Sequence, residues 1–313
     1  MGVFVFLPLV LPLTAWPVAR LAEQRLHPRT ATRLLTAVAG VLAVCSTLCL
    51  GLLMIVGTAQ LPGNPLPDGW SDPEVRAAVP YDEFAGPAAI PALLAVLVSC
   101  ASAAWRHVRV RRGAEGALAG LPARSVAVMP DPDPYAYALP GRRGRTPDRV
   151  VASTGMLTGL GPAERRALFA HERAHLKGRH HRHLVVVHLA ARANPFLRPL
   201  RTAVTYTAER WADEEAAAEV GSRRTVARAI GTAALMSRGP LTATLPALAQ
   251  AGPVPRRVAA LLRPAPAARA WPSAFTTAGL AVWGAAAGAT VSALSSANSA
   301  VTLFAVLRAA TPM

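Results

Sequence analysis

Lysine is almost missing from this chain. Lys177 is the only one, so nearly all of the 33 basic residues are arginine; they face 17 acids, and the formal net charge is +16. Alanine and proline are also abundant. That skew follows the composition of a GC-rich coding sequence and removes the usual inference from positive charge to nucleic acid. RNA-binding signatures and basic–aromatic stripes are absent too, so direct nucleic-acid binding is not expected. Cysteine is scarce. Cys45, Cys49 and Cys100 all fall in apolar stretches, which excludes a disulfide framework and a CxxC metal knuckle and leaves them as small packing residues. No basic segment precedes the first apolar run, so a cleaved signal peptide is not expected. The apolar runs carry no charge, which argues against a pump or transporter, since those need ionisable groups at depth.

What is present is apolar. Hydrophobic residues make up 52% of the chain, and uncharged runs occupy residues 3–19, 34–59, 86–105 and 274–307. A hydrocarbon core about 30 Å thick needs about 20 apolar residues in helix. The second and third runs meet this comfortably. The first is short and broken by Pro8, Pro12 and Pro17, and the last is diluted by Ser292, Ser295, Ser296 and Asn298. About four transmembrane helices are therefore expected in a multi-pass protein of the plasma membrane. Arg20, Arg25, Arg29 and Arg33 lie between the first two runs, and Arg106, Arg109, Arg111 and Arg112 follow the third. Asp68, Asp72, Glu74, Asp82 and Glu83 lie between the second and third. Positive loops stay in the cytoplasm, so both chain ends are expected outside and the block after the third run inside. Gly284 and Gly288 form a GxxxG pair in the last run, a weak homodimer signal.

The expected organisation is a membrane region over residues 1–105, a cytoplasmic domain over 106–273, and a final helix with a short tail over 274–313. The domain begins with short runs that read as strands at 125–129, 135–140 and 149–154, bounded by turn residues. After Gly161 the pattern turns helical, with Pro162 and Glu164 suited to a first turn. Inside that helix lies His171-Glu172-Arg173-Ala174-His175. Residues four apart share a helix face, so His171 and His175 can grip one ion. Glu172, rotated by about 100°, is poorly placed as a ligand but can reach water activated by that ion and take its proton. A zinc site with two histidines needs a third protein ligand and an open position. Downstream, a helical stretch ending at Gly221 places Glu209 and Asp213 on one face. Glu209 completes the ligand set for one Zn²⁺ per chain, and Asp213 can accept a hydrogen bond from the second nitrogen of His171. Glu214, Glu215 and Glu219 read as ordinary exposed acids, and Tyr206 as packing. His180, His181, His183 and His188 read as solvated or membrane-surface residues rather than a second metal cluster.

"HERAH" followed by "ERWAD" resembles the HExxH…ExxxD pattern of the gluzincins, and in particular the small integral-membrane ones. "PYAYALPG" (134–141), "VVASTGML" (150–157) and "GPAERRALFAHERAH" (161–175) are similar to HtpX-type quality-control proteases. The layout of three spans, a zinc domain and a final span, with "NPF" (194–196) before the second active helix, resembles the BlaR/MecR-type membrane metallopeptidases, the antibiotic-sensing receptors. The resemblance implies an α-helical membrane protein with a cytoplasmic α+β minigluzincin domain between the third and fourth spans. It implies a zinc endopeptidase with His171, His175 and Glu209 as ligands, Glu172 as catalytic base and Asp213 as orienting residue. It implies a protein or peptide substrate added as a strand to the sheet edge, along residues 150–154. It also implies regulatory proteolysis, with a winged-helix repressor as substrate. Two departures stand out. The chain ends at Met313 without the penicillin-binding sensor of those receptors, and Arg173 fills a position that is usually small or apolar, facing away from the metal. An HtpX-like quality-control protease, or a non-catalytic membrane scaffold with a structural zinc, are the alternative readings.

Overall fold

A computed structural model describes residues 3–77, 79, 81–122, 124–142, 146–237, 254–266, 273 and 275–311. Residues 267–272, at the end of the expected cytoplasmic domain, and Ala274, at the start of the last apolar run, lie outside them. The chain begins as a helical path in pieces: a 3-10 turn Val3–Phe6, α1 Leu7–Val10, a second 3-10 turn Leu11–Thr14, and α2 Ala15–Arg25. Pro8 and Pro12 cannot donate to the helical ladder, and hydrogen bonding shifts to 3-10 around them. These breaks fall where the prolines interrupt the first apolar run. The first apolar run is not one long helix, and the described helices long and apolar enough to cross a membrane are three: Pro28–Ala59, Glu83–Ala117 and Gly279–Ala309.

The first of these is α3, Pro28–Ala59, opened by Pro28 in its first turn and by His27, whose Nδ1 accepts from the Arg29 backbone at 3.3 Å. Its 32 residues extend about 48 Å. A short α4, Pro73–Ala77, precedes α5, Asp82–Ala117. Gly57 and Gly86 let the α3 and α5 backbones approach so closely that a Cβ on Gly57 would collide with the Gly86 carbonyl. The expected boundary at 105/106 falls inside α5, so the apolar half and the arginine-rich half form one rod. All three cysteine thiols are free, Cys45 and Cys49 buried and Cys100 half-buried.

Three strands follow at the places the turn residues indicate: β1 Val126–Met129, β2 Ala136–Leu139 and β3 Arg149–Ser153. Their order is β1-β3-β2, with β1 parallel and β2 antiparallel to β3. After α6, Thr154–Thr158, come α7 Pro162–Lys177, α8 His180–Ala193, α9 Arg198–Val220, α10 Arg223–Met236, α11 Val254–Leu261 and α12 Thr277–Ala309.

The cores show how these parts join. One cluster gathers Ala15 and Ala19 of α2, Leu35 and Leu42 of α3, Val187 of α8, Leu200 and Val204 of α9, and Val282 of α12. The long apolar helix α3 thus shares its core with the helices that carry the downstream acids. Thr32 Oγ1 donates to Thr207 Oγ1 at 2.9 Å in the same buried seam. A second core joins Ala167 and Ala170 of α7, Ala216 of α9, Val226 of α10 and Leu261 of α11. On the outer faces of α5 and α12, Leu94, Val98, Leu294 and Phe304 are exposed, an apolar surface of the kind a bilayer covers. Gly284 and Gly288 line an apolar cavity of about 340 Å³ together with Leu11 and Val18, so the GxxxG pair faces the chain's own N-terminal segment.

Candidate metal centre

Helix α7 starts where its residues favour a start. Pro162 needs no backbone partner in the first turn, and the Gly161 N–H donates to Glu164 Oε2 at 2.9 Å. Helix α9 ends at Gly221, whose φ of 72° is the left-handed conformation that glycine adopts without a Cβ penalty. Between these fixed ends, the two helices pack side by side, and their apposed faces carry the predicted ligands.

His171, His175 and Glu209 converge. The two Nε2 atoms are 3.1 Å apart, Glu209 Oε2 is 3.5 Å from His171 Nε2, and Glu209 Oε1 is 3.4 Å from His175 Nε2. A tetrahedral zinc with arms of about 2.0–2.1 Å separates its ligand atoms by about 3.3 Å, close to the distance between the two imidazole nitrogens and from each of them to the nearer Glu209 oxygen. The donor chemistry agrees. Asp213 Oδ1 lies 3.1 Å from His171 Nδ1, close but not in hydrogen-bond alignment, and its charge favours the hydrogen on Nδ1, so the hydrogen a metal would displace is the one on Nε2. Once the His171 Nε2 proton leaves, two Nε2 lone pairs and a carboxylate face one another, an arrangement that a cation between them stabilises. The residues present therefore fit a divalent ion.

The charges around the centre tell the same story. Asp213 is wholly buried, and Glu209, Glu172 and His171 are nearly so. Burial alone would raise the Glu209 carboxyl, but Arg257, His175 and His171 hold it well below the usual carboxylate range. Asp213 is likewise held low against burial, mainly by Arg257. Burial also opposes a charged His171, yet the Asp213 and Glu209 carboxylates push its pKa up to about 10. His175 falls to about 4, first through burial, with His171 and Arg257 adding to it and Glu209 and Asp213 opposing it. Glu172 is raised to about 7, first by burial, against the pull of His171, Arg257 and the Ala138 backbone N–H. Glu209 and Asp213 stay ionised beside one guanidinium, and the further positive charge among them is the His171 proton, which a divalent cation would displace.

Two residues of this centre escaped the sequence reading. Arg257 on α11, 5% exposed, donates from Nε and Nη2 to the two Asp213 oxygens at 2.9 and 2.6 Å, and its Nη1 lies 2.8 Å from Glu209 Oε2. It is one arginine among many, and only the fold shows that it is sunk between two acids. His180, expected to be solvated, is completely buried. That is a correction. Its Nδ1 lies 2.9 Å from His175 Nδ1, and its ring packs 4.5 Å from that of Trp211. The spacing of five from His175 crosses a helix break, where helical periodicity gives no guidance. His181, His183 and His188 stay half-buried and apart, and among the described residues no second metal-ligating group of three converges. Tyr206 is occupied by the Arg256 guanidinium, 4.4 Å from its ring centre. Arg173 points outward and pairs with Glu219, as the helical reading requires.

The strand expected to receive substrate is corrected too. β3 is the central strand, and its backbone is paired on both sides, so residues 150–154 have no free edge. The free edge on the helical side is β2. Its Tyr137 faces Val151 across the ladder, and the alternate Ala138 N–H turns outward to the Glu172 carboxylate.

The model of peptidase family M48 matches residues 101–191, a segment that holds the three strands, His171, Glu172 and His175 and stops short of Glu209. No curated protein and no solved structure matches the chain. The family match and the ligand geometry together support a membrane-type metallopeptidase, similar to M48 enzymes and suited to zinc.

Proposed function

We propose that the chain is a membrane-anchored zinc endopeptidase that hydrolyses peptide bonds of a protein substrate. The observation that carries this is the convergence of His171, His175 and Glu209 at tetrahedral spacing, with the Glu172 carboxylate beside them at the free edge of β2. A zinc ion bound there supplies Lewis-acid polarisation of the scissile carbonyl and of the attacking water. Glu172 takes the proton of that water as it adds to the carbonyl carbon. It returns the proton to the amine as the C–N bond breaks. Asp213 favours the hydrogen on His171 Nδ1 by its charge, and His180 Nδ1, 2.9 Å from His175 Nδ1, holds the His175 ring by a hydrogen bond. Arg257 keeps Glu209 and Asp213 ionised in a buried setting. The substrate backbone pairs with β2 and brings its carbonyl alongside Glu172.

The zinc domain faces the cytoplasm in this reading, because the arginine-rich loops lie on its side of the spans. We place the activity in regulatory proteolysis of a winged-helix repressor, on the resemblance in layout to BlaR/MecR-type receptors. The test is direct. Purified protein should hold about one zinc per chain and cleave casein. Glu172→Gln should keep the zinc and lose about 10²–10⁴-fold in rate. Unchanged cleavage would remove Glu172 from its role, and zinc without any cleavage would leave a scaffold with a structural ion. Cleavage of a repressor encoded beside this gene separates regulation from quality control.

A further inference from the structure

We propose a second ligand site: the cavity between the start of α3, the α7–α8 turn and Trp211 binds a phosphate group, as free phosphate or as the headgroup of an anionic phospholipid. The cavity holds about 480 Å³, within the range of small-ligand sites, about 300–1,000 Å³. Arg29 and Arg33 reach it from α3, Lys177 from the end of α7, and Arg179 and Arg182 from the start of α8. Glu215 is the one carboxylate in its lining, and it is already engaged by Lys177 Nζ at 3.6 Å and Trp211 Nε1 at 3.3 Å.

In so arginine-rich a chain, a basic surface alone means little, so the convergence decides. Several arginines elsewhere pair with acids, among them Arg111 and Arg142 with Glu115, Arg210 and Arg223 with Glu214, and Arg257 with Asp213 and Glu209; others among the described residues, such as Arg224 and Arg228, do not, but they lie outside this cavity, where four arginines line one space. Among the described residues, Arg29, Arg33, Arg179 and Arg182 have no such carboxylate. Arg29 and Arg33 are four apart on one helix face, a repulsive arrangement for like charges, yet both guanidinium carbons sit 5.4 Å from the Trp211 ring centre. Bringing unpaired cations to one point is favourable when an anion joins them.

Two further features aim at the same space. The N-terminus of the 14-residue helix α8 opens beside the cavity, with Arg179 at its start in a left-handed conformation, φ 51°, that side-chain-bearing residues rarely adopt. Helix N-termini and guanidinium groups both favour phosphate oxygens. The buried His180 Nε2 has no hydrogen-bond partner and points at Gly178 on the cavity wall, into the space a side chain there would take.

The test needs no metal, so its failure and that of the zinc reading are separable. The metal-free full chain in detergent is titrated with inorganic phosphate by calorimetry. In parallel, native mass spectrometry compares retention of phosphatidylglycerol with that of phosphatidylcholine. Arg33→Gln with Arg182→Gln, both exposed, should weaken binding about thirtyfold. Arg224→Gln with Arg228→Gln, exposed and outside the cavity, removes the same charge and should leave binding within about twofold. Saturable phosphate binding identifies the free ion, and selective retention of phosphatidylglycerol alone identifies the lipid. No saturable binding of either, equal losses in the two variants, or binding of a glutamate-rich peptide but not of phosphate, overturns the proposal.

Discussion

Replacing Arg257 with methionine keeps most of the side-chain volume and removes the only guanidinium between Asp213 and Glu209. In the native protein it makes two hydrogen bonds to Asp213, at 2.9 and 2.6 Å, and a contact of 2.8 Å to Glu209. Asp213 is 0% exposed and Glu209 6%, so water cannot take over. Breaking a buried ion pair from one side costs about 3–5 kcal/mol, because the remaining charge stays buried and uncompensated. At about 2–4 °C per kcal/mol for a domain of this size, chelator-treated Arg257→Met should melt about 6–20 °C below wild type in a detergent thermal scan. Saturating zinc should shrink the gap, since the ion then neutralises Glu209. The double variant with Asp213→Asn should recover part of the loss, because it deletes the stranded charge. A chelated Arg257→Met within about 2 °C of wild type, or a double variant whose losses simply add, would refute the claim that Arg257 holds these acids together.

Three further outcomes follow from the same geometry. His171, held near pKa 10 by Asp213 and Glu209, is protonated at neutral pH and must release its Nε2 proton to ligate. Zinc binding at about pH 8 should therefore expel about one proton, with affinity rising as pH rises toward 10; calorimetry in buffers of different ionisation enthalpy measures this, and pH-independent affinity contradicts the assignment. His180→Ala removes the partner of His175 Nδ1 and should weaken zinc binding about 10–100-fold, read by competition with a chromophoric chelator. His180→Asn should regain part of that loss, which a merely structural role would not give. Gly57→Ala sets a methyl against the Gly86 carbonyl and should loosen the α3–α5 contact by about 1–3 kcal/mol, seen as a lower melting temperature with zinc affinity unchanged.

The clustering of His171, His175 and Glu209 was legible because its signals are local. His171 and His175 share a face through helix periodicity alone, and Glu209 and Asp213 do the same on the next long helix. Proline and glycine marked the ends of α7 and α9 close to where they fall. The strands were bounded by their turn residues, but their order was not, since pairing depends on which segments meet after the chain has folded. That is why residues 150–154 looked available as an edge and are in fact central. Proline spacing in the first apolar run warned of a kink, and only the backbone showed the run divided into α and 3-10 pieces.

From the residues alone came the ligand types, their helical spacing, the apolar runs and the absence of disulfides, all of which follow from short-range geometry and composition. Tertiary structure decided which of the many arginines and histidines matter. Arg257 and His180 are remote in sequence from the side chains they serve, or cut off from them by a helix break. Their roles come from burial, which withdraws water and leaves a neighbouring acid or imidazole as the sole partner.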